Sequence, residues 1–491
     1  MKRFEGYRFL GILILLKAVC VFLTGCGAQE KTENRTADPA KGRMVLTVAT
    51  DWAGADFTAR VNAFNESSEE YYVEIRQYEA EGISDDPIEA FATQLTMDIL
   101  SGKGPDMVCL GAGSYSPSIA SEKLMENLYS YMEADEEFHR EDYYENILEA
   151  FELNGGLYVL PAGFGIDTMC GKAEELEPHR DVGNREISEG AGTERKVTEN
   201  WIISEMIAAY ENSPHAECLT LNDSNWLTFQ EVCGGCIGNF VNWETGECRF
   251  DTPEFVELLE FSDSFSGELI LANESDFSFS GALQSGKALL QPVILRTPWD
   301  VASWRVTFGD AKLLWPGYPV ADEDRVTSGK SKESAEEMGG GVAKPYGSCL
   351  SICANSSHKE AAWEFVKSFL TPEAQREITG IPLLKSVSEE RIQEALTPEY
   401  ETVDGVKKEK IRHEILIEGD DIPGLVAITE EDAEVFRSII TGTHRSTGYV
   451  PGMFNIIREE VSAYYEKDKD AVVVAGIIQN RVSVFVSERR N

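Results

Sequence analysis

The sequence predicts an α/β protein, because strand-like and helix-like segments alternate from residue 45 onward. Strand-like runs occur at 45–50 and 71–78, where β-branched, aromatic and other apolar residues predominate. After each run, apolar residues recur every three or four positions, which is the period of a helix. The chain has 491 residues, of which 42% are hydrophobic, so it can bury the cores of two or three domains.

The first predicted strand passes through a turn at 51–54 into a helix with one apolar face. That face carries Phe57, Val61 and Phe64. A second helix, 91–100, stops at the glycines and proline of 101–105, and a third strand begins at Asp106. In sheets of this βαβ kind, ligands bind beyond the carboxyl ends of the strands.

Three helices in the last third of the chain are predicted from start signals or apolar stripes. Ser357 and Glu360 have the spacing of a capping box, and Thr371 followed by Pro372 indicates the start of another helix. The stripes are Ala362, Phe365, Val366 and Phe369 in the first region, and Val474, Ile478, Val482 and Phe485 near the C-terminus. Each stripe predicts a helix that packs one face on a sheet or core.

The N-terminus has the pattern of an export signal: a basic start, an apolar run over 9–23 and small residues at its end. The basic residues are Lys2, Arg3, Arg8 and, within the apolar run, Lys17. The tetrapeptide Leu23-Thr24-Gly25-Cys26 resembles the lipobox of bacterial lipoproteins, in which the cysteine is acylated. The run is too short for a membrane anchor. We therefore expect a lipoprotein signal peptide at 1–25 and a flexible polar tether at 26–44.

The charge excludes one class of partner. The formal net charge is −41 at pH 7, and nucleic acids and anionic lipid surfaces are recognised mainly through Lys and Arg. Nucleic-acid binding is therefore not expected. The acidity favours solubility of a tethered protein, and basic ligands stay open.

Ten cysteines and six histidines give no clear metal site. Cys20 leaves with the signal peptide and Cys26 carries the lipid, which leaves eight cysteines in the folded part. Cys233 and Cys236 form a C-x-x-C pair that is open to three interpretations: a structural pair, a local disulfide, or redox or zinc chemistry. The histidines are scattered singly, so we predict no metal and no cofactor.

Several segments together resemble the extracellular solute-binding proteins of bacterial ABC importers, in the group that includes maltose- and oligosaccharide-binding proteins. They are Leu100–Val108 with its Gly-x-x-Pro-Asp, Asn154–Pro161, Leu283–Leu289 with Thr297–Trp299, Ala361–Gln375 with Gly380–Leu383, and Ile478–Glu488. The order and spacing of these segments extend the resemblance over 45–489, with 173–200 lacking a counterpart.

The resemblance implies a two-lobe α/β fold of the periplasmic-binding-protein type II, in which each lobe is a mixed sheet flanked by helices and a hinge joins the lobes. Lobe 1 is expected to comprise 45–160 and a return at 344–386. Lobe 2 is expected to comprise mainly 161–343 and, with the closing helices, 387–491. The resemblance further implies a monomeric receptor on the extracellular face of the cell membrane that passes a small solute, such as a carbohydrate, to ABC permease subunits.

Sugar sites need flat aromatic rings against C–H faces and polar groups for the hydroxyls. Asp51 and Trp52 lie in the turn after the first strand, where the family places ligand contacts. Trp299 matches the cleft tryptophan of the family, and Phe164 follows the first crossing strand. The segment that supplies a late cleft aromatic contains Tyr449 and Phe454. The remaining tryptophans considered, Trp226, Trp243, Trp304, Trp315 and Trp363, are predicted to be core residues.

Three departures from the maltodextrin binders weigh against that ligand. The segments Leu110–Ser114, Gly163–Gly165 and Met169–Lys172 stand where those proteins carry a tryptophan with an acid, a further acid, and Tyr-Asn-Lys. The glycines indicate room for a bulkier ligand or close approach of the backbone.

An alternative function is a surface glycan hydrolase with paired carboxylates, but 85 Asp and Glu residues make some pairing inevitable. The sequence has no nucleophile elbow, HExxH motif or phosphate loop. We therefore expect a binding protein without enzymatic activity.

Overall fold

The structure is a computed structural model of the chain. It describes residues 40–51, 54–78, 87–111, 123–176, 201–221, 224–265, 278–321, 341–417, 419–448 and 450–490. The contacts group residues 45–491 into one compact unit. Cys26, Trp52 and Tyr449 lie outside the described residues.

The first three strands of the structure confirm the predicted order, and further strands follow them in the described residues. They are β1 (Met44–Thr50), β2 (Tyr71–Gln77), β3 (Met107–Gly111), β4 (Leu160–Lys172), β5 (Val241–Asn242), β6 (Glu247–Cys248), β7 (Gln291–Leu295), β8 (Leu313–Leu314), β9 (Val342–Ile352), β10 (Ile381–Pro382), β11 (Tyr400–Val403) and β12 (Val406–Glu409).

Helices fill most of the intervals between these strands. They are α1 (Ala55–Ser67), α2 (Pro87–Leu100), α3 (Leu128–Ala134), α4 (Glu145–Ala150), α5 (Ala173–Leu176), α6 (Ile203–Asn212), α7 (Asn225–Gly235), α8 (Pro253–Asp263), α9 (Phe279–Gln284), α10 (Pro298–Thr307), α11 (Lys359–Lys367), α12 (Pro372–Glu377), α13 (Lys385–Leu396), α14 (Glu430–Thr441), α15 (Pro451–Tyr465) and α16 (Ala471–Arg490). All the residues of the predicted apolar stripes in α1, in the α11 region and in α16 are buried.

One mixed sheet organises the described part of the fold. Its main path runs β10-β4-β9-β3-β1-β2, and β7 and β8 also pair with β4. β1 and β3 are parallel, whereas β4 pairs antiparallel with β7, β8, β9 and β10. β4 has 13 residues and β9 has 11. Strands of this length can extend through the parts of the sheet that we expected to lie in separate lobes.

Two large hydrophobic cores lie against this sheet. The first core contains residues of β1, β3, α1 and α11 together with α10, α13 and α14. The second core contains residues of α6, α7, α8, α15 and α16. Both β4 and β9 contribute residues to each core. The described residues do not decide the predicted lobe boundaries, which stay a prediction.

The Pro-Asp of the third strand has a structural role. The carboxylate of Asp106 accepts hydrogen bonds from Thr47 N at 2.8 Å and from Ser356 Oγ at 2.7 Å, and its Oδ1 lies 3.1 Å from His358 Nδ1. Burial alone would raise the pKa of Asp106, but these hydrogen bonds outweigh it and lower the pKa. Asp106 therefore ties β1 to the segment before α11.

The predicted capping box at Ser357 is wrong, whereas the cap at Thr371 is confirmed. The N-cap of α11 is His358, whose side chain makes no cap hydrogen bond and instead lies with Nδ1 3.1 Å from Asp106 Oδ1, while its backbone N–H donates to Ser356 Oγ at 3.0 Å. The side chain of Thr371 accepts a hydrogen bond from Ala374 N at 3.3 Å, and Pro372 is the first residue of α12.

Within the described part of the chain, α16 is the one helix whose length and composition would allow it to cross a membrane. Val474, Ile478 and Val482 of this helix are fully buried in the second core. The helix is accordingly part of the fold, as its apolar stripe predicted.

Candidate functional site

A cavity of about 320 Å³ lies where β4, β9 and α7 meet. Asp167 pairs with Val342 across the two strands, and Gly165 pairs with Lys344. Asp167 and Lys344 are therefore diagonal neighbours on one face of the sheet. Residues around the cavity include Asp167, Glu231, Gly235, Tyr318, Lys344 and Thr447.

Asp167 has one bonded and one unbonded carboxylate oxygen. Its Oδ2 forms an ion pair with Lys344 Nζ, and the residue is only 7% exposed. Its Oδ1 is buried and has no hydrogen-bond partner among the described residues. Burial raises the pKa of Asp167, and the charge of Lys344 opposes this only in part. A buried acceptor without a partner is costly, so this oxygen is suited to receive a donor from a ligand.

Glu231 is the second carboxylate of the cavity and projects from α7. Thr220 Oγ1 donates a hydrogen bond to Glu231 Oε2 at 2.9 Å. Glu231 has no ion-pair partner among the residues that the structure describes, and it is half-buried. Burial raises the pKa of Glu231 to about 7, with the hydrogen bond from Thr220 opposing the shift. The group can therefore change charge near neutral pH.

Three side-chain donors bind the backbone carbonyls of the segment that contains Tyr318. Trp201 Nε1 donates to the carbonyl of Gly317 at 2.8 Å, Arg445 Nη2 donates to that of Tyr318 at 2.9 Å, and Asn239 Nδ2 donates to that of Pro319 at 3.2 Å. Burial, and secondarily the charges of Glu231 and Asp167, raise the pKa of Tyr318 well above its ordinary value. The phenol therefore stays protonated and can donate a hydrogen bond.

The two glycines between Cys233 and Cys236 form part of the cavity wall. A Cβ placed on Gly235 would lie 2.0 Å from Cδ1 of Tyr318, so the ring packs directly against the backbone of α7. Cys233 and Cys236 are fully buried and free, and burial raises the pKa of both thiols. The described residues hold no group of His, Cys, Asp and Glu that could bind a metal ion. These facts favour the structural interpretation of the motif.

Comparisons with known proteins identify the fold. No protein-family model matches the chain, and no curated protein matches its sequence. The chain is similar to the structure of a periplasmic oligogalacturonide-binding protein from Yersinia enterocolitica, with a TM-score of 0.52 and 12% identity over 91% of this chain and 100% of that one. The chain has the fold of an extracellular solute-binding protein. This confirms the predicted periplasmic-binding-protein-like α/β class, although the described strands form one main mixed sheet rather than the predicted separate sheet in each lobe.

Two further structures have a similar extent of alignment. The sugar-binding protein MalE from Xanthomonas citri has a TM-score of 0.49 and 13% identity, over 91% of this chain and 98% of that one. An extracellular solute-binding protein from Alicyclobacillus acidocaldarius has a TM-score of 0.48 and 14% identity, over 90% and 98%.

Trp299 of this solute-binding fold is half-buried near the start of α10 and does not line the cavity described above. Its ring stacks on His413 with centroids 5.5 Å apart and an interplanar angle of 12°, and the guanidinium carbon of Arg412 lies 5.5 Å from the ring centroid. A ligand would have to share this ring with His413 and Arg412. The role of Trp299 in binding stays a prediction.

Phe164 and Phe454 are core residues in this structure. Phe164 is fully buried in β4, with its ring edge-to-face on Tyr144 at 5.9 Å. Phe454 is 4% exposed in the second core, and its Cζ would lie 3.9 Å from a Cβ on Gly234. Phe454 therefore packs behind the cavity wall formed by α7. In the described conformation neither ring is accessible to a ligand, because both side chains are buried.

Asp51 connects two strand ends. Its Oδ1 accepts a hydrogen bond from Gly111 N at 3.0 Å, which joins the end of β1 to the end of β3. Its side chain is half-buried, and its predicted contact with ligand stays a prediction. Trp315 is buried as predicted, whereas Trp226, Trp243 and Trp304 are half-buried against the two cores.

The sequence interpretation missed Asp167, Glu231, Tyr318 and Lys344. A signal for Asp167 was present, because it is the one charged residue of the otherwise apolar run 160–171. The other three could not be assigned from local sequence, because they come from separate segments. Only the pairing of β4 with β9 and the packing of α7 bring them to one cavity.

Proposed function

We propose that the protein is a lipid-anchored extracellular receptor that captures a small solute, a sugar or oligosaccharide, and delivers it to an ABC permease. The observation that carries the proposal is the buried, unbonded Oδ1 of Asp167 at the edge of a cavity in a solute-binding fold. Such an oxygen is stabilised when a ligand hydroxyl or amine donates to it. The cavity lies on β4 and β9, which both cores share, and we assign it to the cleft between the lobes.

The polar groups of the cavity are complementary to a polyhydroxylated ligand. Tyr318 and Lys344 supply donors, whereas Asp167 and Glu231 supply acceptors. A small number of placed polar groups in a concave site is the usual arrangement for recognition of small molecules. Closure of the two lobes around the ligand would then exclude water from these groups.

The proposal also includes a lipid anchor at the N-terminus of the mature chain. The lipobox-like Leu23–Cys26 and the polar tether at 26–44 would hold the binding domains at the outer face of the cell membrane. A membrane-held receptor stays near its permease, whereas a free one would be lost from a cell that has no outer membrane.

A thermal-shift screen of mono- and oligosaccharides, followed by calorimetric titration, tests the receptor function. A ligand at 100 times its dissociation constant stabilises the folded protein by about 2.7 kcal/mol. The Asp167→Asn variant should lose most of the affinity, and the Glu247→Gln variant, on exposed β6, should keep it. Saturable binding with no product would support the proposal. Turnover of a glycan at catalytic protein concentrations would instead favour the hydrolase.

A further inference from the structure

Glu231 is the charged residue of the cavity lining that has no ion-pair partner among the described residues. Lys344 neutralises Asp167 through their ion pair, and no cation among the described residues pairs with Glu231. Arg445 approaches the same wall, but it donates to the backbone carbonyl of Tyr318, and its charge acts on Cys236. The cavity therefore carries one carboxylate without a counter-charge.

This carboxylate becomes costly when a ligand displaces water from it. An ionised group that is buried without a counter-charge loses hydration that neutral hydroxyl groups replace only in part. A ligand ammonium would return this energy, because charge-assisted hydrogen bonds are shorter and about twice as strong as neutral ones. An ammonium also has three donors, enough for Glu231 and for the unbonded Oδ1 of Asp167.

We propose that the captured solute is an amino sugar, whose primary ammonium group is received by Glu231 together with Oδ1 of Asp167. The inference rests on the proposed function and names the ligand class of that same site. Lys344 stays paired with Asp167, so the residues that line the cavity have a single excess negative charge, which matches one ammonium group. Tyr318 is left to donate to a sugar hydroxyl.

The pH dependence separates an ammonium ligand from a neutral one. The titratable and charged groups that line the cavity with Glu231 are Asp167 on β4, Lys344 on β9 and Tyr318, whose backbone carbonyl accepts a hydrogen bond from Arg445. Because the pKa of Glu231 is raised to about 7, the carboxylate is mostly ionised above that pH and mostly protonated below it. Affinity for an ammonium ligand should therefore fall as the pH is lowered from about 7.5 to about 6. A hydroxyl ligand can bind either protonation state.

Calorimetric titration with matched sugars tests the inference. The probes are glucose and galactose with a hydroxyl, a primary amine or an N-acetylated amine at C2 or at C6, and short β-1,4-linked oligomers of glucose, glucosamine and N-acetylglucosamine. At about pH 7.5 the best amine should bind about tenfold or more tightly than its hydroxyl counterpart. This ratio should fall several-fold at about pH 6.

Matched variants assign the effect to the cavity. Glu231→Gln should reduce the preference for the amine by about tenfold and remove its pH dependence, whereas Glu247→Gln should leave both unchanged. The thermal unfolding of each variant shows whether it is folded. If a hydroxyl or N-acetylated sugar binds as tightly as the amine, the inference is wrong and the sugar receptor stands. If no sugar in this panel or in the broader screen binds, both proposals are wrong.

Discussion

Arg305 of α10 and Asp432 of α14 form a two-point ion pair that joins the two helices. Arg305 Nε lies 2.8 Å from Asp432 Oδ1, and Nη2 lies 3.1 Å from Oδ2. Asp432 is only 2% exposed, and its Oδ2 also accepts hydrogen bonds from Thr429 N at 2.9 Å and Thr429 Oγ1 at 2.7 Å. The same carboxylate therefore caps α14 and holds it against α10.

The Asp432→Asn variant should lower the free energy of unfolding by about 1–3 kcal/mol, because it removes the charge of a buried carboxylate that binds Arg305, which keeps only its more exposed partner Asp310. Burial alone would raise the pKa of Asp432, but the bonds from Arg305 and Thr429 lower it. The stabilisation is thus present above the pKa of an unfolded aspartate and is lost as the pH falls through the lower folded pKa. Denaturant unfolding at several pH values measures both effects.

The control is the Glu390→Gln variant, because Arg376 and Glu390 form a similar two-point pair at 2.8 and 3.0 Å on the surface. Water screens exposed pairs, so this variant should change stability little. Equal losses in the two variants would contradict the structural role assigned to Asp432.

Gly235→Ala should disturb the cavity, because the added Cβ would overlap the ring of Tyr318 at 2.0 Å. Overpacking of this kind typically costs about 1–3 kcal/mol. We expect a lower melting temperature and weaker ligand binding. Gly238→Ala is the matched control, since a Cβ there meets no atom within 4 Å. If both variants behave like the original protein, the close packing of Tyr318 on α7 is wrong.

Glu231→Gln should change how stability depends on pH in the absence of ligand. The folded pKa of about 7 exceeds the ordinary value of 4.5, so between these values the folded protein holds a proton that the unfolded chain has lost. Stability contributed by this group is therefore full below about pH 4.5 and decreases as the pH rises through 7. Unfolding curves should show the variant gaining stability relative to the original protein over this window. A difference that does not vary with pH would contradict the raised pKa.

The eight described cysteines should be unreactive in the folded protein. All eight are buried and free, and burial raises the pKa of the thiols of Cys170, Cys233 and Cys349 well above the ordinary value. The thiolate is the reactive form, so a thiol reagent should label a chain starting at residue 27 only after denaturant is added. Rapid labelling of Cys233 or Cys236 in the native protein would revive the redox interpretation.

Cys26→Ala should release the protein from the membrane. A lipid-modified cysteine at this position would partition the protein into the detergent phase, and its removal should shift the protein to the aqueous phase. Metabolic labelling with a radioactive fatty acid gives a direct readout. Cys20→Ala, which changes the signal peptide alone, should keep the label. Labelled protein that lacks Cys26 would show that the lipobox-like sequence was misread.

The sequence predicts the fold better than it predicts the site, and the reason is physical. Trp299 could be proposed from local sequence, but the partners that cover its ring, His413 and Arg412, are more than 100 positions away. The sequence places Phe164 after a crossing strand, but the residue lies within β4, where its buried ring packs edge-to-face with Tyr144. Aromatic residues satisfy core packing and sugar stacking equally well, so composition and spacing alone cannot separate the two roles.

The sequence by itself determined the order of the first strands and helices, the buried stripes and the fold class, because these depend on local periodicity and on motifs along the chain. The tertiary structure alone decided that Asp167 keeps an unbonded oxygen and that burial raises the pKa of both Asp167 and Glu231. Asp167 meets Lys344 only through the register of β4 with β9, and Tyr318 lines the same cavity as Glu231 with its ring packed against Gly235 of α7. Hydrogen bonding and desolvation depend on neighbours that are distant in sequence, and these neighbours set the chemistry of the cavity.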